Sequence, residues 1–236
     1  MRFVASNATP IEAFGDIEPI PHDGLFDADG LLIPQPAAFW ASKTIPQRAM
    51  FGHETGLYAF PTLEAIAFIK RCIGGRETQT IEIGAGAGIW GKHLGIRCTD
   101  SYLQRRPDVM AEYRQMGQKP APYGKHVEKI EAVKAVRKYR PKVVVASWVT
   151  QKFRADRFCM RGNVDGVDEL RIVPMVDSYI FIGHNNSHGD KMILEDVMTG
   201  RHPTHEMAEL MTSGTYSRAQ ASEGDFIIHI ARKAIE

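Results

Sequence analysis

From residue 61 onward, short uncharged runs alternate with stretches whose apolar residues recur at helical spacing. Leu63, Ile66 and Ile69 follow Thr62, a residue able to cap a helix, and Gly74-Gly75 stops the pattern. The spacing next predicts a strand over about 79–83, a helix over about 88–94 and a short strand from Ile96 to Thr99 that stops at Asp100. Pro107 to Met116 predicts a helix, and 125–128 a short strand. A helix over about 129–139 carries Ile130, Val133 and Val136 on one face. Val143-Val144-Val145-Ala146 is β-branched and uncharged, as a central parallel strand requires. A helix over about 166–176, a buried strand Tyr179-Ile180-Phe181-Ile182 and a helix over about 203–212 follow. Two last strands are expected near 214–218 and 225–231. Seven strands alternating with helices imply an α/β domain over 61–236, a mostly parallel sheet with helices on both faces.

Residues 1–60 differ. Pro10, Pro19, Pro21, Gly24, Gly30, Pro34 and Pro36 interrupt any period, and only Pro36 to Lys43 predicts a short helix. Phe14, Leu25, Phe26, Leu31, Leu32, Ile33, Phe39 and Trp40 are too much apolar surface for a disordered tail. The expectation is an irregular arm that wraps the body or covers a cleft.

Composition narrows the class. The 236 residues carry a net charge of +1 and 44% apolar residues, the balance of a globular domain and not of a general polyanion binder. No secretory signal and no apolar run long enough for a membrane span is visible. Cys72, Cys98 and Cys159 are scattered and odd in number, which reads as reduced thiols in a cytoplasmic protein.

The chemistry concentrates in Glu82-Ile83-Gly84-Ala85-Gly86-Ala87-Gly88-Ile89-Trp90. A strand breaks into alternating glycines and opens a helix, whose free N–H groups face the turn. A dinucleotide fingerprint, G-x-G-x-x-G, would need glycine at Ile89. The pattern E-x-G-x-G-x-G instead resembles the first motif of class I S-adenosylmethionine-dependent methyltransferases, a Rossmann-like family. The resemblance spans roughly 60–231. It implies that Gly84, Gly86 and Gly88 pack against the methionine half of S-adenosyl-L-methionine and that Glu82 helps hold its charged amino acid part. Asp100, at the end of the next strand, is placed to accept from both ribose hydroxyls. Val127 and Glu128 lie where that family recognises adenine, with Glu131 close behind. Phe51 to Thr62 and Val145 to Thr150 look like a bacterial or phage group of methyltransferase-like proteins whose substrate is unassigned.

For the acceptor side, Ser147-Trp148-Val149-Thr150 follows the fourth strand, where the family's methyl group faces substrate. It lacks the proline pair of amino-methylating nucleic-acid enzymes and the cysteine of cytosine C5 methylation. Gly183-His184-Asn185-Asn186-Ser187-His188-Gly189-Asp190 ends the next strand, on the ligand-binding side of such sheets. His184 is the candidate general base, Ser147 a hydrogen-bond acceptor and Trp148 a wall. His184, His188 and Asp190, or His202, His205 and Glu206, are conceivable ligands, but no H-E-x-x-H or paired C-x-x-C exists, and no metal is expected. Lys134, Arg137, Lys138, Arg140 and Lys142 read as a solvated helix face. Lys152, Arg154, Arg157 and Arg161 lie beside the predicted site and suit an anionic group.

The expected activity is methyl transfer from S-adenosyl-L-methionine to a small molecule or a protein side chain. A nucleic-acid acceptor is disfavoured. A nicotinamide-dependent oxidoreductase and a non-catalytic cofactor-binding module are the other readings.

Overall fold

A computed structural model describes residues 16–156, 162–220 and 223–234. Its strands are β1 (Ala59–Phe60), β2 (Thr80–Ile83), β3 (Arg97–Asp100), β4 (Val127–Lys129), β5 (Val143–Ser147), β6 (Ser178–His184), β7 (His205–Met211), β8 (Tyr216–Ser217) and β9 (Asp225–Arg232). The helices are α1 (Ala37–Ala41), α2 (Ile45–Thr55), α3 (Leu63–Ile73), α4 (Ile89–Leu94), α5 (Pro107–Gln115), α6 (Ala132–Tyr139), α7 (Glu169–Ile172), α8 (Asn185–His188) and α9 (Met192–Met198).

Seven strands form one sheet in the order β4-β3-β2-β5-β6-β9-β7. The first five run parallel, β9 runs antiparallel to β6, and β7, antiparallel to β9, points the same way as the first five. This is a Rossmann-like α/β fold. Strand order reverses between β2 and β5, so the crevice for a ligand opens at the carboxyl ends of β2, β3 and β5.

Both faces of β5 and β6 are buried, which explains their uninterrupted apolar runs. On one face Val144, Ala146, Tyr179 and Phe181 pack with α6, α7 and α9. On the other, Val143, Val145, Ile180 and Ile182 pack with Ile66, Ile69 and Ile73 of α3. Thr62 caps α3, its Oγ1 accepting the Ala65 N–H at 2.9 Å, and Gly74 closes it at φ 63°.

Four expectations need correction. The helix expected over 203–212 is the strand β7. His205-Glu206-Met207-Ala208-Glu209-Leu210-Met211 has helix-forming residues, but it is the exposed edge of the sheet, and pairing with β9 outweighs propensity. The segment near 214–218 contributes only Tyr216–Ser217, which pairs with β1 outside the main sheet, so the seventh strand is β7 instead. The helix over 166–176 shrinks to the single turn α7 and a 3-10 turn at Val173–Met175, because Pro174 interrupts it.

The arm is the fourth. It holds the 11-residue helix α2, whose Thr44 and Gln47 form a reciprocal capping box. Leu25, Leu31, Leu32, Trp40, Phe51 and Phe60 bury themselves against Ala87 and Ile89, so this segment packs on the glycine turn's own helix. Pro10 and Phe14 lie outside the described residues, as do Arg157, Cys159 and Arg161.

Candidate functional site

The glycine turn sits at the reversal of strand order. Gly84, Gly86 and Gly88 all have left-handed φ, 59°, 53° and 74°. A non-glycine residue there costs about 1–2 kcal/mol. Their surroundings separate the three. A Cβ on Gly84 would meet Val149 Cγ1 at 2.4 Å, and one on Gly88 would meet His126 Nε2 at 2.5 Å. These two glycines admit the protein's own side chains. A Cβ on Gly86 would meet nothing nearer than Ala121 Cβ at 3.5 Å. Gly86 is therefore the member of the triplet left open to a ligand.

Asp100 fixes that glycine. Its Oδ2 accepts the Gly86 N–H at 2.9 Å and its Oδ1 the Tyr102 N–H at 2.7 Å. Burial raises its pKa, and those two N–H donors work against the rise. The carboxylate thus stands at the end of β3 beside the turn, as the sequence places it.

Glu82 is fully buried, and its Oε2 accepts the Gly91 N–H of α4 at 2.8 Å. Its Oε1 has no hydrogen-bond partner. Burial pushes its pKa up to about 8, so the carboxyl holds its proton at neutral pH. A positive charge brought near would favour ionisation. Glu82 therefore anchors the helix behind the turn.

Val127 and Glu128 divide. The Val127 carbonyl accepts from the Tyr102 hydroxyl at 2.7 Å and so borders the Asp100 loop. The Glu128 carboxylate turns to Lys138 Nζ at 2.6 Å and to the Tyr139 hydroxyl. Glu131 caps α6, accepting from the Val133 and Lys134 N–H groups.

Ser147 is half-buried at the end of β5. Trp148 follows at φ 54°, a left-handed conformation that is an outlier for a bulky residue. Its N–H donates to the Ile182 carbonyl at 2.9 Å, which holds the strained turn. Its ring packs edge-on against His188 at 4.9 Å and near Tyr58 at 5.9 Å, while its indole Nε1 is buried without a hydrogen-bond partner. Backbone strain of this kind concentrates at functional sites.

The expected polar loop after β6 is the helical turn α8. His184 is 1% exposed, and its Nδ1 accepts the Asn186 N–H at 3.2 Å, capping that turn. A Cβ on Gly224 would lie 3.2 Å from His184 Nε2, so Gly224 closes over that edge of the ring. His184 N–H in turn donates to His188 Nδ1 at 3.1 Å. Trp148 and His184 do come together, with ring centres 6.5 Å apart.

Three features here carry no linear signal. Tyr102 and Tyr123 stack at 4.1 Å, with Arg105 over both rings at 5.0 and 5.1 Å. Arg218 lies over Tyr58 at 3.5 Å. Lys191, the buried N-cap residue of α9, donates to the Val149 carbonyl at 2.8 Å and pairs with Glu169 Oε2 at 2.5 Å. It thereby anchors the Ser147-Trp148-Val149 turn from below. Only the adjacency of a tyrosine to Asp100 could have hinted at the first of these.

No family model matches the sequence, and no curated protein matches it. Among solved structures the chain is similar to an rRNA methylase from Streptococcus thermophilus. Identity is 9% and the TM-score 0.41, over 71% of this chain and 96% of that one. It is also similar to a precorrin-6y C5,15-methyltransferase from Geobacter metallireducens, at 12% identity and a TM-score of 0.39, over 73% and 89% of the two chains. At such values function has to be argued from the site.

Beyond Asp100 opens a cleft of about 550 Å³, bordered by Tyr102, Arg105, Arg106, Lys129, Glu131, Lys152 and Asp165. Four of these side chains are cationic and two acidic. Arg106 is held by Asp108 at 2.6 Å and Asp165 at 2.8 Å. Among the described residues no helix is long and apolar enough to cross a membrane. Neither histidine group named above converges as a metal site among those residues.

Proposed function

We propose that this chain binds S-adenosyl-L-methionine at the turn after β2 and transfers its methyl group to an acceptor. The observation that carries the reading is Gly86, left-handed and open, with its N–H bound to the carboxylate that ends β3. A cradle that a side chain would fill, beside a buried carboxylate, fits a nucleoside ligand. Ile89 in place of a third fingerprint glycine favours S-adenosylmethionine over a nicotinamide dinucleotide. The bacterial or phage methyltransferase-like group remains the family resemblance behind this reading.

The cofactor supplies an electrophilic methyl on a sulfonium; the protein's part is alignment and exclusion of water. The backbone of the Gly84 to Gly88 turn would border the methionine half at Gly86, with Gly84 and Gly88 making room for Val149 and His126. Asp100, keeping the Gly86 and Tyr102 N–H groups, would accept from the ribose hydroxyls with the second lone pair of each oxygen. The Val127 backbone borders the base, with Glu128 contributing through its strand and not through its carboxylate. Ser147 would present a hydroxyl and Trp148 a rigid wall, while His184, whose Nδ1 accepts the Asn186 N–H, would offer a donor at Nε2 beside that wall and not a free base. A small molecule or a protein side chain is the favoured acceptor.

With Arg106 held by Asp108 and Asp165, Arg105, Lys129 and Lys152 still outnumber Glu131 in the cleft, which favours an acceptor that carries a phosphate or carboxylate. Nucleic acid is therefore the second reading. A salt-sensitive, sequence-tolerant affinity for oligonucleotides would select it, and insensitivity would exclude it. The experiment for the main reading is a crystal structure soaked with S-adenosylhomocysteine. The expected result is ligand against Gly86 and Asp100 with its sulfur facing the Ser147-Trp148 turn. Ligand elsewhere, or none, overturns it.

A further inference from the structure

Away from this crevice, beneath α3, three potential ligand atoms converge. Glu209 of β7 and His229 of β9 are direct cross-strand partners, so their side chains share one face of the sheet. A bulge between Met207 and Glu209 shifts the register and sets that pairing. The neighbouring residue on that face, Ile227, packs in the same core as Ile69, Cys72 and Ile73 of α3. Cys72 therefore meets the Glu209–His229 pair from the helix above. One atom from each of Cys72, Glu209 and His229 lies within 4.8 Å of the other two.

His229 gives the independent sign of a ligand. It is only 9% exposed, and neither ring nitrogen has a hydrogen-bond partner. A buried imidazole with both nitrogens idle is rare, because its desolvation is uncompensated.

We propose that Cys72, Glu209 and His229 bind a divalent transition metal of zinc type, with water as the fourth ligand. A thiol, an imidazole and a carboxylate form a set suited to zinc. Zinc–ligand distances of about 2.0–2.3 Å put tetrahedral ligands about 3.5 Å apart. Closing from 4.8 Å takes about one ångström, which rotamer adjustment on an edge strand supplies. Glu209 also holds Arg71 through Oε2 at 2.7 Å, and the metal would take its share of that carboxylate. The ion would tie the edge strand β7 to β9 and α3. Spacing motifs miss the site because the ligands are spread from residue 72 to residue 229.

The test is titration of the full chain, dialysed against chelator, with Co²⁺ and then Zn²⁺. The expected result is one equivalent of Co²⁺ with a thiolate-to-cobalt charge-transfer band, displaced by Zn²⁺, and a higher Tm on loading. Cys72→Ser should abolish the band. His229→Gln and the exposed Glu209→Gln should each weaken binding about 100-fold. No stoichiometric uptake, or a band that survives Cys72→Ser, overturns the proposal. Where Cys72→Ser fails to fold, Glu209→Gln decides, and unchanged affinity overturns it.

Discussion

Lys191→Met tests how the candidate acceptor turn is held in place. Lys191 and Glu169 each have side chains only 2% exposed and lie 2.5 Å apart. Glu169 Oε1 also accepts from the Tyr179 hydroxyl at 2.6 Å, and Lys191 lies over the Phe181 ring at 4.5 Å. Removing the ammonium leaves a carboxylate in the core without its counter-charge. Breaking a buried pair in this way costs about 3–5 kcal/mol. In a domain of this size that lowers Tm by about 6–20 °C. The loss is a large part of a total stability of about 5–15 kcal/mol. The triple variant Lys191→Met, Glu169→Leu, Tyr179→Phe removes the ammonium, the carboxylate and the hydroxyl together. It should recover most of the loss, short by about 1–3 kcal/mol for the Val149 carbonyl left without Lys191. Urea unfolding followed by circular dichroism measures both variants. A single variant within about 1 kcal/mol of the parent, or a triple variant no better than the single, refutes the argument.

Further predictions follow from the turn and from the buried carboxyls. Gly88→Ala should cost about 2–4 kcal/mol of stability, combining left-handed strain with overlap onto His126 and Val127, whereas Gly86→Ala should cost only about 1–2; equal losses in chemical denaturation would contradict the distinction. Gly86→Val should fold but lose measurable affinity for S-adenosylhomocysteine, and unchanged affinity would remove the turn from the site. Glu82 and Asp225, pushed by burial to about 8 and about 7, bind more protons folded than unfolded, where 4.5 and 3.8 apply. Their contribution therefore falls as pH rises from about 4 to about 8. Buried histidines such as His53, lowered to about 4, act in the opposite sense, but only below their ordinary 6.5. Stability should thus decline between about pH 6.5 and 8, and Glu82→Gln should flatten the decline; a parent protein whose stability rises across that window rules the reasoning out.

The sheet was legible where burial writes itself into composition. Val143 to Ala146 and Tyr179 to Ile182 are uncharged because both faces are covered, and the glycine turn could be located from its alternating pattern. Two kinds of element escaped. β7 is an exposed edge, so no apolar alternation marks it, and its glutamates and methionines mimic a helix. α2 buries Arg48, Gly52 and His53, which hide its period, although Thr44, Pro46 and Gln47 offered a readable start signal. Beside the turn, the position of Asp100 was legible because it closes the next strand. Lys191 and Glu169 were not, since nothing local distinguishes a buried ion pair from two surface charges. Glu128 shows the converse: it sits where the resemblance wants an acid, and the fold commits its carboxylate to Lys138 and Tyr139.

Calorimetric titration of the intact protein with S-adenosylmethionine, S-adenosylhomocysteine and NADH reaches the central claim most directly. Both sulfur compounds should bind with 1:1 stoichiometry, NADH should not, and Asp100→Ala should weaken the first two. Folded protein that binds neither sulfur compound, or that takes NADH in their place, contradicts the assignment of the turn after β2.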